Sequence, residues 1–237
     1  GVEGERIYEK ILKESAFTDE GFESICSLFH IDSGELTEMK GRYVLDVGPG
    51  GSPFATILRE KGVKAFQLDQ LGVGELRRKF PKGKHWNSIS PFHKTGSAAD
   101  TGKVIPNLKF HRIFACDSVI QPNNYPLYRA NPMRLWSELK GMLESLNLND
   151  GEFRSSLNNP AFFSTPINMR AFILPLIAAL KEGGFKLPDM CDEDGHLSFD
   201  KYRENVASWD MKHFPILRII RTPESDLDRA ERFFMVH

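Results

Sequence analysis

The run Val44–Leu45–Asp46–Val47 is short, apolar and β-branched, and it stops at a cluster of glycines, Gly48, Gly50 and Gly51. That is the pattern of a strand covered on both faces, as parallel strands are. From Pro53 to Lys61 the period changes. Phe54, Ile57 and Leu58 share one face, while Arg59, Glu60 and Lys61 share the other, which predicts an amphipathic helix. A second strand is predicted over Val63–Leu68, with Asp69 at its carboxyl end. The chain thus reads strand, glycine turn, helix, strand.

Further along, "VGELRRKF" predicts a helix and "KHWNSIS" a third strand, and the Gly/Ser/Pro-rich "SPFHKTGSAADTGKVIPN" reads as a loop with room for one helical turn. "KFHRIFACD" is a fourth strand ending at Asp117. "NPMRLWSELKGMLESL" has Leu135, Leu139, Met142 and Leu146 at helical spacing, and "NDGEFRSSL" turns into a fifth strand. Thr165 as N-cap and Pro166 at the first helical position predict a helix from Pro166 to Lys181, kinked at Pro175. After an acidic linker, "DMCDEDG", come a short helix near Asp200 to Ser208 and two runs, "PILRIIRT" and "ERFFMVH", that read as an antiparallel pair. Residues 5 to 30 read as two short helices, one carrying Ile7, Ile11 and Leu12, the other Phe22, Ile25, Cys26 and Phe29, with Thr18 as an N-cap between them. A polar link, "HIDSGELTEMKG", follows.

This alternation predicts an α/β fold: a doubly wound, mostly parallel seven-stranded sheet with an antiparallel edge hairpin, plus N-terminal helices. Two regions are expected, an N-terminal helical lid over residues 1–40 and a Rossmann-like domain over 41–237. With 237 residues, 41% hydrophobic and 27% charged, the composition is that of an ordinary globular protein. A net charge of −1 supplies no global field for nucleic acid or anionic membrane. Cys26, Cys116 and Cys191 are odd in number and widely spaced, which points to a reducing compartment and to neither a disulfide framework nor a metal site. No apolar run approaches the roughly twenty residues of a membrane helix, so a cytoplasmic location is expected.

The glycine turn admits two nucleoside-binding readings. A dinucleotide fingerprint needs G-x-G-x-x-G, but here Gly48 and Gly50 are followed by Pro53 at the third position, where it suits a helix start better. "VLDVGPGGS" instead resembles motif I of the class I S-adenosylmethionine-dependent methyltransferases, with Asp46 as the acid, Gly48 and Gly50 as the alternating glycines, and Ser52 where a third glycine often stands. The likeness extends over residues 42 to 187: Asp69 falls where the family keeps an acid for the ribose hydroxyls, and "IFACDSVIQ", "LNDGEFRSSL" and "ALKEGGFKL" resemble its later elements.

The resemblance implies S-adenosyl-L-methionine as cofactor, held by Asp46, Gly48, Pro49, Gly50, Ser52, Asp69, Gln70 and Asp117. A plain tight turn for the glycines, a helix cap for Asp69 and a turn cap for Asp117 are the alternatives. Because the cofactor is a sulfonium and already activated, methyl transfer needs mainly an aligned acceptor and the exclusion of water. His85, His93 and Tyr125 are the candidates for moving a proton near the mouth. No D/N-P-P-Y segment follows the fourth strand, no Pro-Cys pair occurs, and the fifth strand offers Arg154 in place of a catalytic lysine. These absences, with the charge balance, favour an oxygen or nitrogen of a small molecule as acceptor and make nucleic acid an unlikely partner. A non-catalytic nucleoside-binding module of the same fold and an aminopropyl transferase are the other readings. Arg129 and Arg134, beyond the fourth strand, are candidates for recognising an acid, and the basic run "RRKFPKGKHW" reads as a solvated face.

Overall fold

A computed structural model describes residues 19–116, 118–120, 124–156, 173–198, 200–201, 204 and 216–236. Its centre is a six-stranded sheet of β1 (Tyr43–Val47), β2 (Lys64–Asp69), β3 (His93–Thr95), β4 (Arg112–Ala115), β5 (Glu152–Ser156) and β6 (Ile216–Ile220), in the order β3-β2-β1-β4-β5-β6. The first five strands are parallel and β6 runs antiparallel to β5. The helices are α1 (Asp19–Leu28), α2 (Ser33–Glu38), α3 (Phe54–Glu60), α4 (Val73–Lys79), α5 (Trp86–Ile89), α6 (Thr101–Val104), α7 (Tyr125–Ala130), α8 (Pro132–Glu144), α9 (Leu174–Glu182) and α10 (Leu227–Val236).

Both faces of the sheet are covered, so β1, β4 and β6 are mostly apolar, while β2, β3 and β5 carry buried polar side chains as well. On one face Leu45, Val47, Ile113 and Phe153 meet Trp136 and Leu139 of α8 and Leu176 and Leu180 of α9. On the other, Val44, Ala65 and Phe114 meet Phe54 and Leu58 of α3 and Phe22, Ile25 and Phe29 around α1. The Phe29 ring lies 4.8 Å from that of Phe114 and 6.1 Å from that of Phe54. The segment expected as a lid is therefore, over residues 19–40, part of this core. Its first helix and Thr18 lie outside the described residues.

A buried ionic cluster adds to that attachment. Glu35 of α2 accepts from Arg112 Nε at 2.9 Å and from Arg154 Nη2 at 2.7 Å, and Arg154 Nη1 also donates to the Phe29 carbonyl at 2.9 Å. Glu152 in turn accepts from Arg154 Nε at 3.0 Å and from Arg218 Nε at 2.6 Å. Arginine is suited to this place because its planar fork can serve two carboxylates and a carbonyl at once.

The β1–α3–β2 unit, β4, α8 and β5 follow the sequence pattern closely. Elsewhere the structure corrects it. "KHWNSIS" is no strand: it holds the short helix α5, whose Trp86 and Ile89 are buried three residues apart, while the third strand is His93–Thr95, inside the stretch expected to be a loop. "ERFFMVH" is no strand either. Through residue 236 it belongs to α10, so the expected hairpin with "PILRIIRT" does not form and β6 pairs with β5 alone among the named strands. Where seven strands were expected, the sheet has six among the described residues; beyond β6 it continues there as an antiparallel bridge between Lys186 and Ile220. The polar link holds α2, N-capped by Asp32, whose carboxylate accepts from the Glu35 N–H. The expected start of a helix at Thr165 and Pro166, and most of the one near Asp200 to Ser208, lie outside the described residues. Among the described residues no helix is long and apolar enough to cross a membrane.

Candidate functional site

Chain connections leave β1 toward β2 on one side and reach β4 on the other, so the loops at the carboxyl ends of these strands diverge and leave a crevice between them. A cleft of about 450 Å³ lies there. Its floor and one wall are Val47 and Gly48 at the end of β1, Leu68 to Leu71 at the end of β2, and Gly96 and Ala98 after β3; the opposite wall is Ser118, Val119, α7 and α8.

The glycine turn is fixed by its own neighbours. Gly48 has φ +67° and a Cβ there would sit 2.3 Å from Ser118 Cβ, while Gly51 lies under the Phe80 ring with no room for one. Ser118 Oγ donates to the Val47 carbonyl at 2.9 Å and so closes β4 against this turn. Ser52 Oγ accepts from the Phe54 N–H at 3.3 Å, which ties the turn to the first residue of α3, whose N-cap is Pro53.

Asp69 joins the turn to the second strand. Its Oδ2 accepts from the Gly50 N–H at 3.3 Å and its Oδ1 from the Leu71 N–H at 2.9 Å. It is not the cap of α4, whose N-cap is Gly72. Each carboxylate oxygen has two acceptor directions, so after these bonds Asp69 can still accept from a molecule in the cleft that it lines.

Of the sequence candidates, Gly48, Asp69 and Gln70 line the cleft. Gly50 reaches it through the bond to Asp69. Asp46 lies behind the turn, 3% exposed, with Oδ2 lacking any hydrogen-bond partner among the described residues; burial first, and then the charge of Asp69, push its carboxyl up to about 7. Pro49 and Ser52 shape the turn without lining the cleft. Asp117 lies outside the described residues.

The three proton-transfer candidates fall elsewhere. His85 is buried against the Trp86 ring at 4.3 Å, and burial lowers its pKa. His93 is engaged at both ring nitrogens, Nδ1 2.8 Å from Gln67 Nε2 and Nε2 3.0 Å from the Leu71 carbonyl; burial, the largest cause, lowers its pKa too. Tyr125 begins α7 and packs against the core. None of the three lines the cleft.

On the far wall the sequence reading named Arg134, which lines the cleft, and missed Tyr128 and Glu138. Tyr128 of α7 places its hydroxyl 2.6 Å from Glu138 Oε2 and 3.0 Å from the Val119 carbonyl, and Asn124 Nδ2 donates to that hydroxyl at 3.4 Å. Burial, then the bond to Glu138, raises the Tyr128 pKa, so the phenol keeps its proton. Arg134, one turn before Glu138 on α8, holds it at 3.7 Å. The available signal was the helical spacing of Arg134 and Glu138 on a face other than the Leu135–Leu139–Met142 stripe. Lys79 at the end of α4 lines the cleft as well, although its run reads as a solvated face.

No family model matches the sequence, and no curated protein matches it. Among solved structures the chain is similar to an S-adenosylmethionine-dependent methyltransferase from Clostridium acetobutylicum, at 19% identity over 68% of this chain and 58% of that one, with a TM-score of 0.43. It is also similar to magnesium protoporphyrin IX methyltransferase from Synechocystis with bound SAM (18% identity, 85% and 78% covered, TM-score 0.46) and to a methyltransferase homolog protein from Pyrococcus horikoshii (16% identity, 86% and 70% covered, TM-score 0.48). Likenesses at this level carry nothing about activity or acceptor.

Proposed function

We propose that the chain is an S-adenosylmethionine-dependent methyltransferase acting on an oxygen or nitrogen of a small molecule. The observation that carries this reading is Asp69: a carboxylate at the tip of β2, tied to the glycine turn through Gly50 and still able to accept from a cis-diol in the crevice beside β1. The positive φ of Gly48 keeps that turn tight, so a nucleoside with its tail at the end of β1 meets backbone rather than side chains. The cofactor would supply an electrophilic methyl group on a sulfonium. The chain's own part is to orient the acceptor and exclude water, with the Tyr128 hydroxyl donating to Glu138 and so positioning it as a carboxylate able to take a proton. A net charge of −1 favours a small acceptor over a polyanion.

The test is calorimetric titration with S-adenosylhomocysteine, a nicotinamide dinucleotide and ATP, followed by transfer of labelled methyl to an acceptor panel. Binding of S-adenosylhomocysteine alone, with transfer to at least one small acceptor, is the expected result. Tight binding of the dinucleotide overturns the reading, and binding without turnover on a broad panel favours the non-catalytic module.

A further inference from the structure

Behind the glycine turn, a row of buried polar side chains crosses three strands. Asp46 of β1 is registered with Gln67 of β2, and Gln67 with His93 of β3, so the three lie side by side on one face of the sheet. They are 3%, 1% and 9% exposed. Hydrogen-bond chemistry fixes the proton positions at one end. The Leu71 carbonyl can only accept, so His93 Nε2 carries a proton. In the neutral ring Nδ1 is then a bare lone pair, and it must accept from Gln67 Nε2. This turns Gln67 Oε1 away, and that oxygen has no donor. Asp46 Oδ2, on the registered neighbour, has none either.

Two adjacent buried acceptors without donors are costly, and a single proton satisfies both. We propose that Asp46 carries a proton in the folded protein and donates it in a hydrogen bond to Gln67 Oε1, heading a chain through His93 and Leu71 that sets the position of Asp69. The last links are in place: the Leu71 carbonyl accepts a hydrogen bond from His93 Nε2–H while the Leu71 N–H donates to Asp69 Oδ1 at 2.9 Å, and Asp69 Oδ2 accepts from the Gly50 N–H. The chain closes a ring around the turn that begins at Gly48, two residues after Asp46. Asp46 is thus a positioning residue, acting on the cleft through Asp69.

Its electrical surroundings agree. The charge that acts on Asp46 is that of Asp69, and with burial it lifts the carboxyl to about 7. From β4 it meets Phe114. On the helices of this face, α1 brings the Cys26 thiol, kept neutral by burial, and α3 brings Arg59, which is engaged with the Ala65 carbonyl and the Phe92 ring. His85, before α5, and His93 both have pKa values lowered by burial and titrate on the acid side of the usual imidazole value.

The ring is tested by NMR on the protein without ligand, and its link to binding by S-adenosylhomocysteine titration, the second arm alone resting on the methyltransferase reading. The Asp46 carboxyl carbon, identified by its loss in Asp46→Asn, should titrate near 7, the amide protons of Leu71 and Gly50 should follow the same midpoint, and His93 should be the Nε2–H tautomer above its own titration. In Asp46→Asn the amide Nδ2–H replaces the acid as donor, so that midpoint should vanish from both amides. A carboxyl titrating below about pH 5, an Nδ1–H tautomer, or amides that keep the midpoint in Asp46→Asn overturns the proposal. In the second arm, wild-type affinity should fall roughly fivefold or more as the pH rises through the midpoint, while the Asp46→Asn profile stays flat. Equal slopes in the two proteins overturn the link to Asp69. No binding at any pH refutes the methyltransferase reading and leaves the ring to be decided by NMR.

Discussion

Gly50 donates its backbone N–H to Asp69 Oδ2 at 3.3 Å, so the turn after β1 and the acid ending β2 form one unit. A hydrogen bond to a charged acceptor contributes about 1.5–3 kcal/mol. Asp69→Ala should therefore weaken S-adenosylhomocysteine binding by roughly ten- to a hundredfold. Asp69→Asn should lose less, because its amide oxygen still accepts. Calorimetry on the three proteins decides this, with thermal melts to show that each is folded; equal affinities leave Asp69 as a structural tie alone.

Two glycines separate strain from propensity. At Gly48 a methyl group meets both φ +67° and Ser118, so Gly48→Ala should cost about 1–3 kcal/mol and abolish ligand binding. Gly74 is exposed in α4 with nothing within 4 Å, so Gly74→Ala should stabilise by roughly 0.5–1 kcal/mol and leave binding alone. Urea unfolding of both variants checks the opposite signs.

The Glu35 carboxylate, with 13% of its side chain exposed, serves two buried guanidiniums. Glu35→Ala leaves Arg112 and Arg154 short of an acceptor and should destabilise by about 3–5 kcal/mol. At this chain length that corresponds to a Tm roughly 6–20 °C lower. Lys103→Ala, which removes an exposed pair with Asp100, should shift stability by no more than about 0.5 kcal/mol. Deleting residues 1–40 should unfold the protein, since α1 and α2 share the core; a folded, cooperative truncation would show that they are dispensable.

Stability should depend on pH through Asp46. Its folded value of about 7 lies above the ordinary 3.8, so between these values the folded chain binds more protons than the unfolded one. Stability is then lost as pH rises across that window and levels off above it. Asp46→Asn removes this dependence and should gain on the wild type between ~pH 5 and ~pH 8 by up to a few kcal/mol. Melts at several pH values test it, and parallel curves would show that Asp46 is ionised throughout.

The legible elements were those whose local pattern and tertiary role agree. Val44–Val47 is an apolar run in a doubly covered strand, and the stripe along α8 is its buried face. The third strand was illegible because it is three residues long and contributes one buried side chain, His93. The terminal "ERFFMV" carries aromatic and β-branched residues that favour strands. Its fate is decided upstream, where Asp226 Oδ1 accepts from the Arg229 N–H and Leu227 and Ala230 are buried three residues apart, and by its own Phe234, which stacks on Trp136 at 5.3 Å. In the site, Asp69 was legible from its distance to the glycines. Tyr128 and Glu138 were not, because the chain breaks its helix at Asn131 and lays α7 against α8, and no local spacing announces that meeting.

The sheet's two margins bear on how the protein behaves in crowded solution. A strand left open along its length offers a row of free donors and acceptors on which another chain can pair. One margin here is the three-residue β3; at the other, β6 is met by a bridge at a single lysine, Lys186. Lengthening β3 by replacing Ser90 and Pro91 with β-branched residues would extend the first margin into a template for self-association, whereas the native Ser-Pro pair opens a tight turn there and keeps that margin short.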